Sequence, residues 1–469
     1  MTVEENRMFE DIVEEMKMVY QFDNRPWMIG YSGGKDSTML VKLVFKMIEK
    51  LPEKERTKPV FILTSDTMVE NPIVEKYMIL SSKAINEFSE KNNYNIHSVI
   101  VKPDISQTFW SLVIGRGYPT PELPGFRWCT ERLKINSMNK YTQSIIDKYG
   151  EIILLLGVRK GESITRQRTI ESNEIEGKLL NPHSTLSNTF VYNPLTEIPN
   201  TLVWEFLLEN EGQSEWGTNL KQLFNMYQGL DLGEEKSVLG EIDKDKIPIT
   251  GNSRFGCWCC TIVKEDKSLM NFINNGSDEL ISLRDFRNWL IDIRKDSTKR
   301  DKKRRDGSVY RKANGEVGLG PFTLEARGEI LIKLLTMQKN LQERYDLYRE
   351  ISLISLEELK YIDSVWEEEG DLTRRKLVDI YYDVYGERLP WDEYKVELFS
   401  EEVIEELRKT SVSQNIPFEL ICKLLTSIEK NKHYVKGNKL EKNFDRIIAQ
   451  GWIHDEIIQE ALQNENKKN

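Results

Sequence analysis

The sequence has no apolar run long enough to cross a membrane. The longest near-continuous one, Ile152 to Val158, falls far short of the ~20 residues a spanning helix needs. The first residues, Met1-Thr2-Val3-Glu4-Glu5-Asn6, carry no basic region followed by an apolar core, so no signal peptide and a cytoplasmic location are expected. Cysteine is scarce: Cys129, Cys257, Cys259, Cys260 and Cys422. Three of them fall within four residues, a spacing that points to metal or redox chemistry rather than a disulfide framework. Histidine is scarcer still, four in 469 residues, and none lies near the cysteine cluster, which argues against a mixed Cys/His zinc site. Internal repeats are absent. A net charge of −10 excludes a broadly basic surface but not a local nucleic-acid site.

What is present is strand–helix alternation. Met8, Ile12, Met16 and Tyr20 stand at helical spacing and predict a leading helix over 5–20. Short apolar runs at 26–31, 59–63, 96–101 and 152–158 read as strands, with helical stretches at 73–91 and 131–149 between them. The expected fold class is therefore α/β, a mostly parallel, doubly wound sheet followed by a largely helical C-terminal region. In such sheets ligands sit at the carboxyl ends of the strands. The length suits roughly three domains at ~150 residues each, and composition places them at 1–235, 236–330 and 331–469. The middle one holds the cysteine cluster and a basic segment.

The first strand runs into Ser32-Gly33-Gly34-Lys35-Asp36-Ser37 and then a helix. Paired glycines let backbone N–H groups approach phosphate oxygens, and the helix start adds more of them. Lys35 supplies positive charge, Ser32 and Ser37 can donate to phosphate, and Asp36 could hold Mg2+. A Walker loop needs glycine five residues before the Gly-Lys pair and Ser or Thr after it. Here Ile29 and Asp36 stand at those places. The pattern resembles the PP-loop of ATP pyrophosphatases, which grips the departing pyrophosphate and leaves the α-phosphorus open to attack. Asp66 ends the second strand, where it could assist magnesium or ribose, or cap the next helix. Arg159 and, beyond it, Arg166 and Arg168 follow the fourth strand, a setting suited to phosphate or sulfate.

Cys129, Cys257, Cys259 and Cys260 could complete a four-thiolate site for a [4Fe–4S] cluster or zinc, and the crowded Cys-x-Cys-Cys spacing favours iron–sulfur. Cys422 lies in a helical apolar stripe and reads as core. From Arg294 to Lys312 there are ten Lys/Arg against three Asp, a net +7. Such a strip could track nucleic-acid phosphates or be a solvated loop.

Together the loop, Gly157 to Ser163, Arg127-Trp128-Cys129 and the cysteine cluster resemble the adenylyl-sulfate/PAPS reductase superfamily. Asp66-Thr67-Met68-Val69-Glu70-Asn71-Pro72, Gly251-Asn252-Ser253-Arg254-Phe255-Gly256-Cys257-Trp258 and Gly320-Pro321-Phe322-Thr323-Leu324-Glu325-Ala326-Arg327 are similar, within it, to the DndC-type DNA phosphorothioation sulfurtransferases. The resemblance covers about 8–335. It implies an ATP-using [4Fe–4S] protein that replaces a non-bridging oxygen of a DNA phosphate with sulfur. The sulfur would come from a cysteine desulfurase, and other proteins of the DNA phosphorothioation system would be partners. That family carries a cysteine shortly before Gly251-Asn252. Thr250 stands in that region here, and Cys259 could replace it as a ligand. Rival readings are an adenylyl-sulfate or PAPS reductase, a tRNA-thiolating enzyme of the same loop class, and a non-catalytic ATP-sensing scaffold.

Overall fold

A computed structural model describes residues 1–123, 126–159, 178–228, 255–305, 308–309, 311, 316–431 and 437–449. The chain forms two compact units. One comprises Met1–Pro103 and Trp128–Arg284, the other Asp104–Arg127 and Asp285–Asn469. The boundary at Arg284 falls inside the segment 236–330 expected from composition, and the excursion 104–127 belongs with the C-terminal unit.

The first unit is built on a six-stranded sheet. Its strands are β1 (Trp27–Gly30), β2 (Val60–Ser65), β3 (Ile96–Val101), β4 (Ile152–Leu155), β5 (Asn181–Pro182) and β6 (Thr189–Tyr192), in the order β3-β2-β1-β4-β6-β5. All neighbours run parallel except β5 and β6. Helices α1 (Val3–Phe22), α2 (Lys35–Glu49), α3 (Pro72–Lys91) and α4 (Asn136–Tyr149) connect or cover these strands. α5 (Asn200–Leu207) and α6 (Lys221–Gln228) follow the sheet. The mostly parallel α/β architecture expected from the strand–helix alternation is the one observed, and strands β5 and β6 extend it.

Parallel strands buried on both faces read as near-continuous apolar runs, and β1, β2 and β4 do so. On one side Met28, Phe61, Leu63 and Ile152 pack against Ile145 and Ile146 of α4. Elsewhere Trp27 meets Tyr20 of α1 edge-on, and Phe9 of α1 stacks on Phe206 of α5 at 4.3 Å. The order of strands fixes where a ligand can sit. The chain steps from β1 outward to β2 and β3, then returns to place β4 on the other side of β1. That reversal opens a crevice at the carboxyl ends of β1 and β4.

The second unit is largely helical. Its main helices are Leu324–Arg344, Leu356–Glu369, Lys376–Tyr385, Glu401–Ser413 and Phe418–Asn431. The excursion 104–127 is anchored among them. Trp110 donates its indole N–H to the Leu353 carbonyl at 2.7 Å, and the Trp366 indole donates to Ile114 at 2.8 Å. Among the described residues no helix is long and apolar enough to cross a membrane.

Candidate functional site

The glycine-rich loop stands at the carboxyl end of β1. β1 ends at Gly30, and Ser32 to Gly34 turn the chain into α2, whose first residue is Lys35. Gly33 adopts φ +69°, a conformation that side chains disfavour, and a Cβ there would stand 2.9 Å from Met78 Cγ. The N-cap of α2 is Gly34, which has no side chain with which to cap the helix. The first N–H groups of α2 thus have no side-chain cap from the N-cap residue, the arrangement in which a helix start can take an anion. The two serines face each other, Ser32 Oγ to Ser37 Oγ at 3.2 Å, and Ser37 also donates to the Gly34 carbonyl.

Lys35 is 4% exposed, and its ammonium lies 3.0 Å from Asp36 Oδ2. The other Asp36 oxygen accepts Arg159 Nε–H at 2.6 Å. Arg159 comes from the turn after β4, so the two sides of the crevice are clamped together. Its remaining nitrogens donate to the Ile198 carbonyl and to Asn200 Oδ1. Arg159 thus holds Asp36 in place, and its contacts are to protein rather than to the loop's mouth. Gly157 makes the approach possible, since a Cβ there would stand 2.9 Å from the Asp36 carbonyl oxygen. Arg166 and Arg168 lie outside the described residues.

Asp66 follows β2 and is buried. One oxygen accepts the Met68 N–H at 2.7 Å and the other lies 3.2 Å from Lys102 Nζ. It does not cap α3, because Asn71 does, accepting from Ile73 N–H. Met68 adopts φ +63°, strained for a side-chain-bearing residue. That turn aims Val69 and Glu70 at the cysteine loop: Trp258 N–H donates to the Val69 carbonyl at 3.1 Å, and Glu70 pairs with Cys257 as a single antiparallel bridge. Thr67 Oγ1 donates to Glu70 at 2.9 Å and lies 3.5 Å from Cys257 Sγ.

Cys129 precedes a π-helical turn, Thr130–Ile135, that leads into α4. Lys134 on that turn pairs with Glu70 Oε1 at 3.2 Å. Burial alone would lower the Lys134 ammonium. The negative charges of Glu70 and, when ionised, of Cys257 and Cys129 hold it above its ordinary range instead. Burial, then Glu70, pushes the Cys257 thiol up to about 12. Cys259 is pushed well up by burial and by the charges of Cys257, Cys260 and Cys129. The four cysteines named in the sequence therefore share one neighbourhood with a cation beside it. Buried thiols of this kind ionise when a metal replaces the proton. In kind the donors are those of a four-thiolate group, but among the described residues no three His, Cys, Asp or Glu side chains converge as ligands. Thr250 lies outside the described residues.

Cys422 is buried with Leu372 and Ile404, as its apolar stripe implies. The basic strip is partly structural. Arg294 is buried and donates to the carbonyls of Thr120 and Pro121, and Arg300 is buried and donates to those of Arg294 and Gly320. Lys299 pairs with Glu329 and Arg305 with Glu369. Lys312 lies outside the described residues. Tyr227, which no sequence motif marks, reaches the glycine-rich loop from α6 and accepts the Lys35 N–H at 3.3 Å.

No protein-family model matches the chain. An uncharacterised protein of Methanocaldococcus jannaschii is 24% identical over 168 residues, 35% of this chain and 30% of that protein. The chain thus spans less than a third of that relative's length. Among solved structures, similarity extends to a phosphoadenylyl-sulfate reductase from Candida auris in complex with phosphate. That match has 15% identity and TM-score 0.30, covering 46% of this chain and 90% of the other. An FMN adenylyltransferase from Candida glabrata matches with 13% identity and TM-score 0.27, covering 47% and 58%. A U34-tRNA thiolase from Methanococcus maripaludis with its [4Fe–4S] cluster matches with 13% identity and TM-score 0.25, covering 60% and 80%.

Proposed function

We propose that this chain is an ATP pyrophosphatase that activates a backbone phosphate of DNA as its adenylate and exchanges a non-bridging oxygen for sulfur. The observation that carries the first half is the phosphate loop at the sheet's reversal point, with a glycine at the helix start and a buried Lys35 beside it. The second half rests on the cysteine loop, whose Cys257 meets the turn after the neighbouring strand, and on the resemblance to the DNA phosphorothioation sulfurtransferases.

A phosphodiester oxygen is a poor leaving group. Its attack on the α-phosphorus of ATP forms a P–O–P bond, breaks the α–β bond and releases pyrophosphate. The loop's N–H groups and Lys35 hold that pyrophosphate, and Arg159 keeps Asp36 placed to receive magnesium. The diester then carries AMP as a good leaving group and has lost the charge that repels a sulfur nucleophile. A persulfide from a desulfurase attacks the phosphorus and expels AMP. A second thiol then cleaves the S–S bond, leaving the phosphorothioate and a disulfide. Cys129, Cys257, Cys259 and Cys260 would hold the iron–sulfur cluster, which when bound would supply a redox-active, sulfide-bearing group.

Reduction of adenylyl sulfate would call for an accessible thiol nucleophile towards the C-terminus, and the buried Cys422 does not supply one. The test is the Lys35→Ala protein in an otherwise complete system. Pyrophosphate release should fall at least ~100-fold, the scale of losing one preorganised charge contact, and nuclease digests should lose phosphorothioate-linked dinucleotides by mass spectrometry. ADP and phosphate as wild-type products, or loss of thiolated tRNA bases in place of phosphorothioates, would overturn the reading.

A further inference from the structure

Tyr227 stands outside every motif of the sequence, on α6, 192 residues from the loop it touches. Its hydroxyl oxygen accepts the backbone N–H of Lys35 at 3.3 Å. The same oxygen lies so near Gly34 that a Cβ there would be 3.2 Å away. The ring faces the Lys35 ammonium at 5.8 Å. Trp204 and Phe255 hold it edge-on, with centroids at 5.1 and 4.8 Å. Phe255 is two residues before Cys257, the thiol that leans on Thr67.

The Lys35 N–H is the first donor of the helix start, where an oxygen of a bound phosphate belongs. A phosphate in the loop and the phenol oxygen therefore compete for one donor. The phosphate oxygen is charged and makes the stronger bond. The ring is close-packed, so it cannot shift without Phe255 repacking.

We propose that Tyr227 is a positioning residue that couples the two halves of the site: phosphate binding displaces its hydroxyl from the Lys35 N–H, and the shifted ring reports occupancy to Phe255 and the cysteine loop. This rests on the phosphate-loop reading above. Tyr227→Phe keeps the ring and its packing and removes only the competing oxygen. Calorimetric titration of the full chain with magnesium pyrophosphate, wild type against Tyr227→Phe, reads the competition. Hydrogen exchange over 255–261 with and without pyrophosphate reads the coupling. The variant should bind about fivefold more tightly, the worth of one neutral hydrogen bond, and its ligand-free melting temperature should be no higher than that of the wild type. Pyrophosphate should alter exchange over 255–261 in the wild type, and that response should be lost in the variant. Equal or weaker binding by the variant, or exchange over 255–261 indifferent to pyrophosphate in the wild type, overturns the coupling. A wild type that does not bind pyrophosphate overturns the phosphate-loop reading itself, a distinct result.

Discussion

Glu75, in the first turn of α3, faces Asp66 and Glu70 across the turn that supports the cysteine loop. Burial, then the charge of Asp66, pushes its carboxyl up to about 8, with Lys102 offsetting part of the effect and Glu70 adding to it. An unfolded glutamate ionises near 4.3. Between about pH 4.5 and 8 the unfolded chain therefore releases a proton that the folded chain keeps, and stability falls as pH rises through that window. Glu75→Gln removes the penalty without changing size. Its melting temperature should exceed that of the wild type at pH 8.5, by a free energy of up to a few kcal/mol, since each tenfold change in acidity is worth ~1.4 kcal/mol. The gap should close towards pH 5. A gap that is constant with pH would refute the assignment. At this scale the sequence exposes chemistry but not environment. The strand–loop–helix placement of Lys35 and Asp36 is legible because paired glycines between an apolar run and a helical pattern mark such a turn. Glu75 is not, because its neighbours are brought to it by folding. Tyr227 is hidden for the same reason: a tyrosine on a short helix carries no local sign of the loop it reaches.

The turn 66–70 and the loop 257–260 pair although about 190 residues separate them. Their bonds run from backbone to backbone, Trp258 N–H to Val69 and the bridge between Glu70 and Cys257. No side-chain pattern announces such pairing. The sequence therefore displays the two segments as separate motifs, while their contact needs the parallel sheet that places the end of β2 beside them. The strain at Met68 fits this role, since an off-region backbone persists where surrounding bonds over-determine it. Protein purified without oxygen should contain iron and acid-labile sulfide in about equal amounts, about four of each per chain for a [4Fe–4S] group. Cys257→Ser should lose both together with the visible chromophore. Stoichiometric zinc without sulfide would replace the iron–sulfur assignment with a structural metal.

A chain of net charge −10 can meet DNA only through concentrated local positive charge, and the strip 294–312 is the one the sequence offers. The fold redistributes that charge. Arg294 and Arg300 are spent inside the second unit, donating to the carbonyls of Thr120, Pro121, Arg294 and Gly320. The sequence could not reveal this, because a run of arginines looks alike whether its partners are phosphates or carbonyls supplied by distant chain. Leaving such carbonyls unpaired in the interior costs about 1–3 kcal/mol each, so Arg300→Ala should lower stability before it touches binding. Lys302 is half-buried and Arg304 is exposed, and they are the better probes. Each phosphate contact contributes about 0.9 to the slope of log K against log salt on duplex DNA. By that measure Lys302→Ala with Arg304→Ala should flatten the slope by about 1.8 and weaken binding on every DNA sequence alike. If the slope is the same in the double variant and the wild type, these two residues belong to a solvated loop.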